Sequence, residues 1–167
     1  MNLHGKTIVV TGVSSGIGAE VARLARFEGA QVIGVDRNDA SISMAGFLKA
    51  DLSTVAGIDA AVAQLPAQID ALCNIAGVPG TADRDLVARV NYLGLRHLSE
   101  QVLPRIRRGG GIVNVASILG AEWPQRLASP SSSTCRRRWN PTIPPGASRH
   151  ESSAPDRSPA SAGSCCR

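Results

Sequence analysis

The sequence has one tyrosine, Tyr92, and two lysines, Lys6 and Lys49, none of them beyond Ser117. The C-terminal part of the chain therefore cannot supply a phenol or an ammonium group. No apolar run approaches the ~18 residues of a membrane span, so neither a span nor a membrane partner is expected. The opening MNLHGKTIVVTG has a short apolar run with no small-residue cleavage site after it, so no signal peptide is expected and a cytoplasmic location is the default. Cysteine is sparse. Cys73 lies in an apolar run and is expected as a buried thiol. Cys135 and the adjacent Cys165 and Cys166 have no second pair, which excludes a zinc site or a disulfide framework.

Charge is unevenly distributed. The chain of 167 residues has a net charge of +5. Residues 1–128 hold 12 Lys/Arg and 11 Asp/Glu, whereas residues 129–167 hold six Arg and two acids. The basic character thus belongs mainly to the tail. Arg136-Arg137-Arg138 alone is too little for a nucleic-acid footprint, which needs cations clustered on a folded face, so no nucleic-acid partner is expected.

What is present, up to residue 128, is a regular alternation. Lys6–Thr11, Gln31–Asp36, Phe47–Ala50, Ala71–Ala76 and Ile112–Ala116 are short apolar runs that predict five strands. Between them, Gly16–Glu28 carries Ile17, Val21, Leu24 and Ala25 at helical spacing, with Gly29 placed as a C-cap. Thr54–Leu65 repeats that spacing through Ile58, Val62 and Leu65. A long helix is expected from Arg84 to about Val102, ended by Pro104 and Gly109-Gly110-Gly111. Undiluted strands alternating with helices argue a parallel sheet covered on both faces, an α/β doubly wound, Rossmann-like fold.

From Ser129 the periodicity stops. Residues 129–167 contain ten Ser, six Pro and six Arg, and too little apolar surface to offset ordering entropy. Disorder is expected there. The abrupt switch is also what GC-rich DNA read out of frame would give.

The first strand runs into Thr11-Gly12-Val13-Ser14-Ser15-Gly16-Ile17-Gly18. Gly12 suits a tight turn, Gly16 a close backbone approach to a pyrophosphate, and Gly18 close helix–sheet packing. The amides at the helix start then face the phosphates. Asp36 ends the second strand, 18 residues past Gly18, where a carboxylate can hold the adenosine ribose hydroxyls. It would repel the extra phosphate of NADP, so NAD is favoured, although Arg37 is a counter-signal. Asp51 can accept from an adenine amino group or cap the next helix. Asn74, near the end of the fourth strand, can tie adjacent strands together through a buried amide.

Together TGVSSGIG, VD at 35–36, DL at 51–52, NIAG at 74–77, VNYLG at 90–94 and IVNVASILG at 112–120 resemble the short-chain dehydrogenase/reductase family, in its bacterial branch acting on coniferyl alcohol and 3α-hydroxysteroids. The resemblance covers residues 1 to about 128. It implies a nicotinamide-dependent oxidoreductase acting on a small alcohol or carbonyl compound, with a homo-oligomer of the family type. By position it implies a cofactor set of Thr11, Gly12, Ser14, Ser15, Gly16, Ile17, Gly18, Asp36, Asp51, Leu52, Asn74, Ala76 and Gly77. Asn91 matches the asparagine supporting a proton-relay water, and Ser117 the catalytic serine, whose hydroxyl would bond the substrate oxygen as charge develops there. Ile75 departs from the family pattern by replacing a second Asn.

The family's tyrosine, with a lysine four residues on, has no counterpart here. It should follow Ser117, and its lysine lowers the phenol pKa from about 10. Tyr92 with Arg96 lies in the wrong helix and reads as packing. The last strands, their helices and the substrate loop are also missing, so exposed apolar surface and a bare strand edge are expected, and the family-type oligomer comes into doubt. The sequence therefore supports an NAD-dependent dehydrogenase that is incomplete and expected to be inactive, a non-catalytic NAD-binding module, or a nonfunctional frameshift product.

Overall fold

The structure, a computed structural model, describes residues 2–117. The tail expectation for 129–167, and the family-like residues 118–128, lie outside the described residues. Five strands form one parallel sheet: β1 (Thr7–Thr11), β2 (Gln31–Asp36), β3 (Gly46–Lys49), β4 (Ile69–Asn74) and β5 (Ile106–Asn114). Their order is β3-β2-β1-β4-β5. Chain order reverses direction on either side of β1, which creates a crevice between the carboxyl ends of β1 and β4.

Strand alternation sends each β1 side chain into one of two cores. Ile8 and Val10 face one side with Val32, Ala22 and Ala25; Val9 faces the other with Ile58, Leu72, Leu98 and Val102. Both faces are covered, so the strand has no polar alternation to show. Helix α1 (Gly16–Phe27) covers the first face, and α2 (Val55–Gln64) with α4 (Leu95–Val102) covers the second.

The buried stripe of α1 differs from the expected one. Ile17 and Leu24 are 63% and 47% exposed, while Gly18, Ala22 and Ala25 are buried. Close approach of the helix start to the end of β1 leaves room only for glycine at position 18, while Val21 and Ala25 pack on the sheet as expected. In α2 the expected Ile58, Val62 and Leu65 are all buried. The helix starts at an N-cap Thr54, whose hydroxyl oxygen accepts from the Gly57 amide, so Asp51 is not its cap.

The long helix expected from Arg84 is four pieces: α3 (Arg84–Ala88), a π-helical segment (Arg89–Gly94), α4, and a 3₁₀ turn (Leu103–Arg105). Pro104 sits in that turn, as a residue ending a helix should. The glycine triplet does not end a helix; it lies inside β5. Ile69 pairs with Ile106 and Ala71 with Gly111, two steps along β4 against five along β5. A bulge absorbs the difference. A Cβ at Gly110 would strike the Asp70 carbonyl oxygen, so the bulge needs glycine there.

Among the described residues β5 pairs only with β4, and its C-terminal half is exposed. Cys73 is half-buried rather than buried, and burial pushes its thiol above the usual range. No helix among the described residues is long and apolar enough to cross a membrane.

Candidate functional site

A cleft of about 350 Å³ opens at the carboxyl end of the sheet. Of the residues singled out from the sequence, Gly12, Ser14, Ser15, Ile17 and Gly18 line it from the first turn. Asp36 lines it from β2, Asp51 and Leu52 from the loop after β3, and Ala76 and Gly77 from the loop after β4.

The turn is built by close contact. Gly12 has φ +76°, and a Cβ there would lie 2.8 Å from Ala76 Cα. A Cβ on Gly18 would run into the Gly12 carbonyl oxygen and lie 2.6 Å from its carbon. These two positions let α1 start directly on the end of β1. Gly16, at φ +56°, has open space around it instead.

Helix α1 begins without help. Its N-cap Ser15 makes no side-chain cap hydrogen bond, and no acidic residue lies in its first turn. By contrast, Thr54 caps α2, and the Asp83 carboxylate accepts from the Asp85 and Leu86 amides at the start of α3. The first amides of α1 are thus left for an anion, with the helix dipole behind them.

Asp36 is buried at the end of β2. Its Oδ2 accepts from the Ser14 amide and its Oδ1 from the Asn38 amide, each at 2.9 Å. A carboxylate has about four acceptor sites, so two remain for neighbouring hydroxyl groups. Arg37 lines the same cleft from the surface. Asp51 Oδ1 accepts from the Ser53 amide at 2.9 Å, an Asx turn that leaves the carboxylate at the cleft wall.

Three singled-out residues do not line the cleft but brace it. Thr11 Oγ1 accepts from the Ile75 and Ala76 amides, both at 2.9 Å, and tethers the loop after β4 to β1. Asn74 Nδ2 donates to Asn114 Oδ1 at 2.8 Å and to Ser99 Oγ at 2.9 Å, tying β4 to β5 and α4. Asn91, in the π-helical segment, donates to Val78 O and accepts from the Val78 amide, both at 2.8 Å. Ser117 is exposed and follows the end of β5, on the same side of the sheet as the cleft.

Sequence reasoning missed several residues here. Ala50, Ile75, Val78, Val90 and Val115 also line the cleft. Being apolar, they carry no chemical signature, and only their places beside Asp51, the 74–77 loop and β5 mark them. Ser99 and Asn114, partners of Asn74, were equally silent in the sequence. Tyr92 is exposed and lies outside the cleft. No cluster of three or more metal-ligating side chains occurs among the described residues.

A glycine turn, an uncapped helix start and a carboxylate on the neighbouring strand, gathered at the reversal point of a parallel sheet, are the arrangement of a Rossmann-like α/β fold. The finer assignment follows from comparison with known proteins. The sequence profile described as short chain dehydrogenase matches residues 6–133, and the chain belongs to that family. It is 67% identical over 127 residues to the coniferyl-alcohol dehydrogenase of Pseudomonas sp. strain HR199, covering 76% of this chain and 50% of that protein.

Among solved structures, the 3-alpha-hydroxysteroid dehydrogenase of Pseudomonas sp. B-0831 complexed with NADH matches with TM-score 0.61 and 36% identity, covering 70% of this chain and 46% of the other. The Pseudomonas aeruginosa RhlG/NADP complex matches with TM-score 0.63 and 26% identity, covering 71% and 57%. The chain spans about half the length of that coniferyl-alcohol dehydrogenase. Both nicotinamide cofactors occur among these structures, so family membership alone does not choose between them.

Proposed function

We propose that the cleft binds NAD, as the nucleotide-binding part of a dehydrogenase for a coniferyl-alcohol or hydroxysteroid type of substrate, and that this chain has little or no turnover. The observation that carries the reading is the start of α1, which enters the cleft with neither a side-chain cap nor an acid in its first turn. An anion is the ligand such a helix end lacks.

The residues present fit NAD. The α1 amides and the turn at Gly12 would hold its pyrophosphate. Asp36, with two acceptor sites left, would hold the ribose hydroxyls, and a phosphate in their place would meet a buried carboxylate. Asp51 would accept from the adenine amino group. Bound NAD supplies an acceptor for hydride. Asn91 fixes the backbone at Val78, and Ser117 would donate to the substrate oxygen.

A proton acceptor for the alcohol is what the chain does not supply, since no tyrosine or lysine follows Ser117. Loss of a general acid/base costs about 10²–10⁴-fold in rate. Residues 129–167 take no part in this reading, and the out-of-frame origin of that segment is tested by translating its DNA in the other two frames. For the binding and turnover claims, the purified chain is titrated with NADH by fluorescence and assayed for oxidation of coniferyl alcohol or a 3α-hydroxysteroid with NAD. Saturable binding without turnover supports the proposal. Turnover at an ordinary enzymatic rate, or no binding by folded protein, overturns it.

A further inference from the structure

The cleft wall that carries Asp51 is held between glycines from two helices. Gly57 lies in the first turn of α2, and a Cβ there would run into the Asp51 carbonyl oxygen and lie 2.8 Å from Thr54 Oγ1. Gly94 is the last residue of the π-helical segment and is buried. A Cβ there would run into the Leu52 carbonyl oxygen and lie 2.7 Å from Arg89 O. Neither glycine has a positive φ, and Gly94 stands at φ −67° and ψ −45°. Any residue adopts that backbone, and glycine inside a helix costs stability relative to alanine. Both positions therefore answer to the missing side chain, not to backbone freedom.

Two successive carbonyls of one loop thus rest against α2 and the π-helical segment. The rest of the loop is tied as well. The Ala50 amide donates to Asp36 O at 2.9 Å, and the Thr54 amide donates to Asp51 O at 3.3 Å. Leu52 is buried in the core with Ile58 and Leu98. Asp51 Oδ1 serves the Ser53 amide, which leaves Oδ2 to meet a base. A clash with a backbone oxygen is not relieved by rotating a side chain, so a Cβ at either glycine has to move the loop. Movement of the loop takes the Asp51 carboxylate with it. The Asp36 carboxylate stays, because the Ser14 and Asn38 amides hold it from other turns.

We infer that Gly57 and Gly94 are positioning residues that set the Asp51 carboxylate where it accepts from the amino group of the bound base. The inference rests on the NAD reading and gives that site a base preference with a structural cause. Adenine presents an amino donor to the carboxylate. Hypoxanthine presents a carbonyl oxygen in the same place, an acceptor facing an acceptor, and is disfavoured. The discrimination lasts only while the loop keeps its place, and the two close contacts determine that place.

The test uses the full chain with NADH and with its hypoxanthine analogue, in which an oxo group replaces the adenine amino group. The parent should bind NADH about tenfold or more tightly than the analogue, as expected for a hydrogen bond to a charged group. Gly57→Ala and Gly94→Ala should each shrink that ratio severalfold while keeping the preference for NADH over NADPH that Asp36 supplies. A general loosening of the fold would lower every affinity alike and leave both ratios as they were. Circular dichroism and urea titration report which variants are folded. Gly57 is half-buried and its replacement favours the helix, so that variant is the milder of the two. A base preference unchanged in a folded variant overturns the role of that glycine. A parent that binds NADH without any base preference overturns the whole inference and leaves the nucleotide site standing. A folded parent that binds neither dinucleotide overturns the nucleotide reading itself.

Discussion

Thr11 offers the cleanest perturbation of the cleft. Its side chain is 1% exposed, and its single oxygen accepts from two amides, Ile75 and Ala76, at 2.9 Å each. It reaches the Cys73 carbonyl only at 3.5 Å. Thr11→Val keeps the shape and removes the acceptor. The two amides belong to half-buried Ile75 and Ala76 beside the cleft, so water offsets part of the loss. A fully buried donor left unsatisfied costs about 1–3 kcal/mol, so the pair costs at most roughly 6 kcal/mol and about 2 kcal/mol after that offset. That is a large part of the ~5–15 kcal/mol that holds a typical domain together. With a urea slope of about 1–3 kcal/mol/M, the unfolding midpoint should fall by about 1 M. NADH affinity should fall with it, because the freed loop carries Ala76 and Gly77 into the cleft wall. Thr11→Ser keeps the oxygen, loses one methyl group worth about 0.8 kcal/mol, and should restore most of both. Urea titrations of the three proteins decide the matter. A Thr11→Val midpoint equal to that of the parent would show that the tether carries no stability and that the reasoning is wrong.

Other consequences follow from single groups. Asp36→Ala should weaken NADH binding about tenfold or more and narrow the preference over NADPH, since one group supplies both the hydroxyl acceptor and the repulsion; competition titrations read both effects. Asp70 is held below the ordinary carboxylate pKa, first by the Thr7 amide and, against the opposing effect of burial, by Lys6 and Arg107. Its stabilising contribution is therefore full above the ordinary value of 3.8 and is lost as pH falls through the depressed folded value. Asp70→Asn should flatten that acid limb in urea midpoints measured against pH, while an unchanged limb would assign it to other carboxylates.

The parts of this fold legible in the sequence are those decided locally. The bounds of Gln31–Asp36 are legible because an apolar run lies between a glycine and a turn. The turn at 11–18 was legible because glycines follow a strand and open a helix. What stayed hidden depends on distant residues. The glycine triplet at 109–111 looks like punctuation locally, yet Gly110 is required by the Asp70 carbonyl beneath it in the neighbouring strand. The π-helical turn at 89–94 has the same apolar spacing as an ordinary helix, so nothing in the pattern marks it. Of the apolar spacing on α1, Val21 and Ala25 meet the sheet while Ile17 and Leu24 stand off it, because closeness to β1 selects Gly18 and Ala22 on the buried face. The bracing roles of Thr11, Asn74 and Asn91 rest on partners 13 to 65 positions away along the chain, beyond any local pattern.

The reading of the cleft stands on the helix start of α1 and the carboxylate of Asp36, and one measurement tests both together. Calorimetric titration of the purified, folded chain with NADH and then with NADPH should give saturable binding of one NADH per chain and markedly weaker binding of NADPH. Equal affinity for the two would contradict the role of Asp36. No binding of either by protein shown to be folded would contradict the nucleotide site itself.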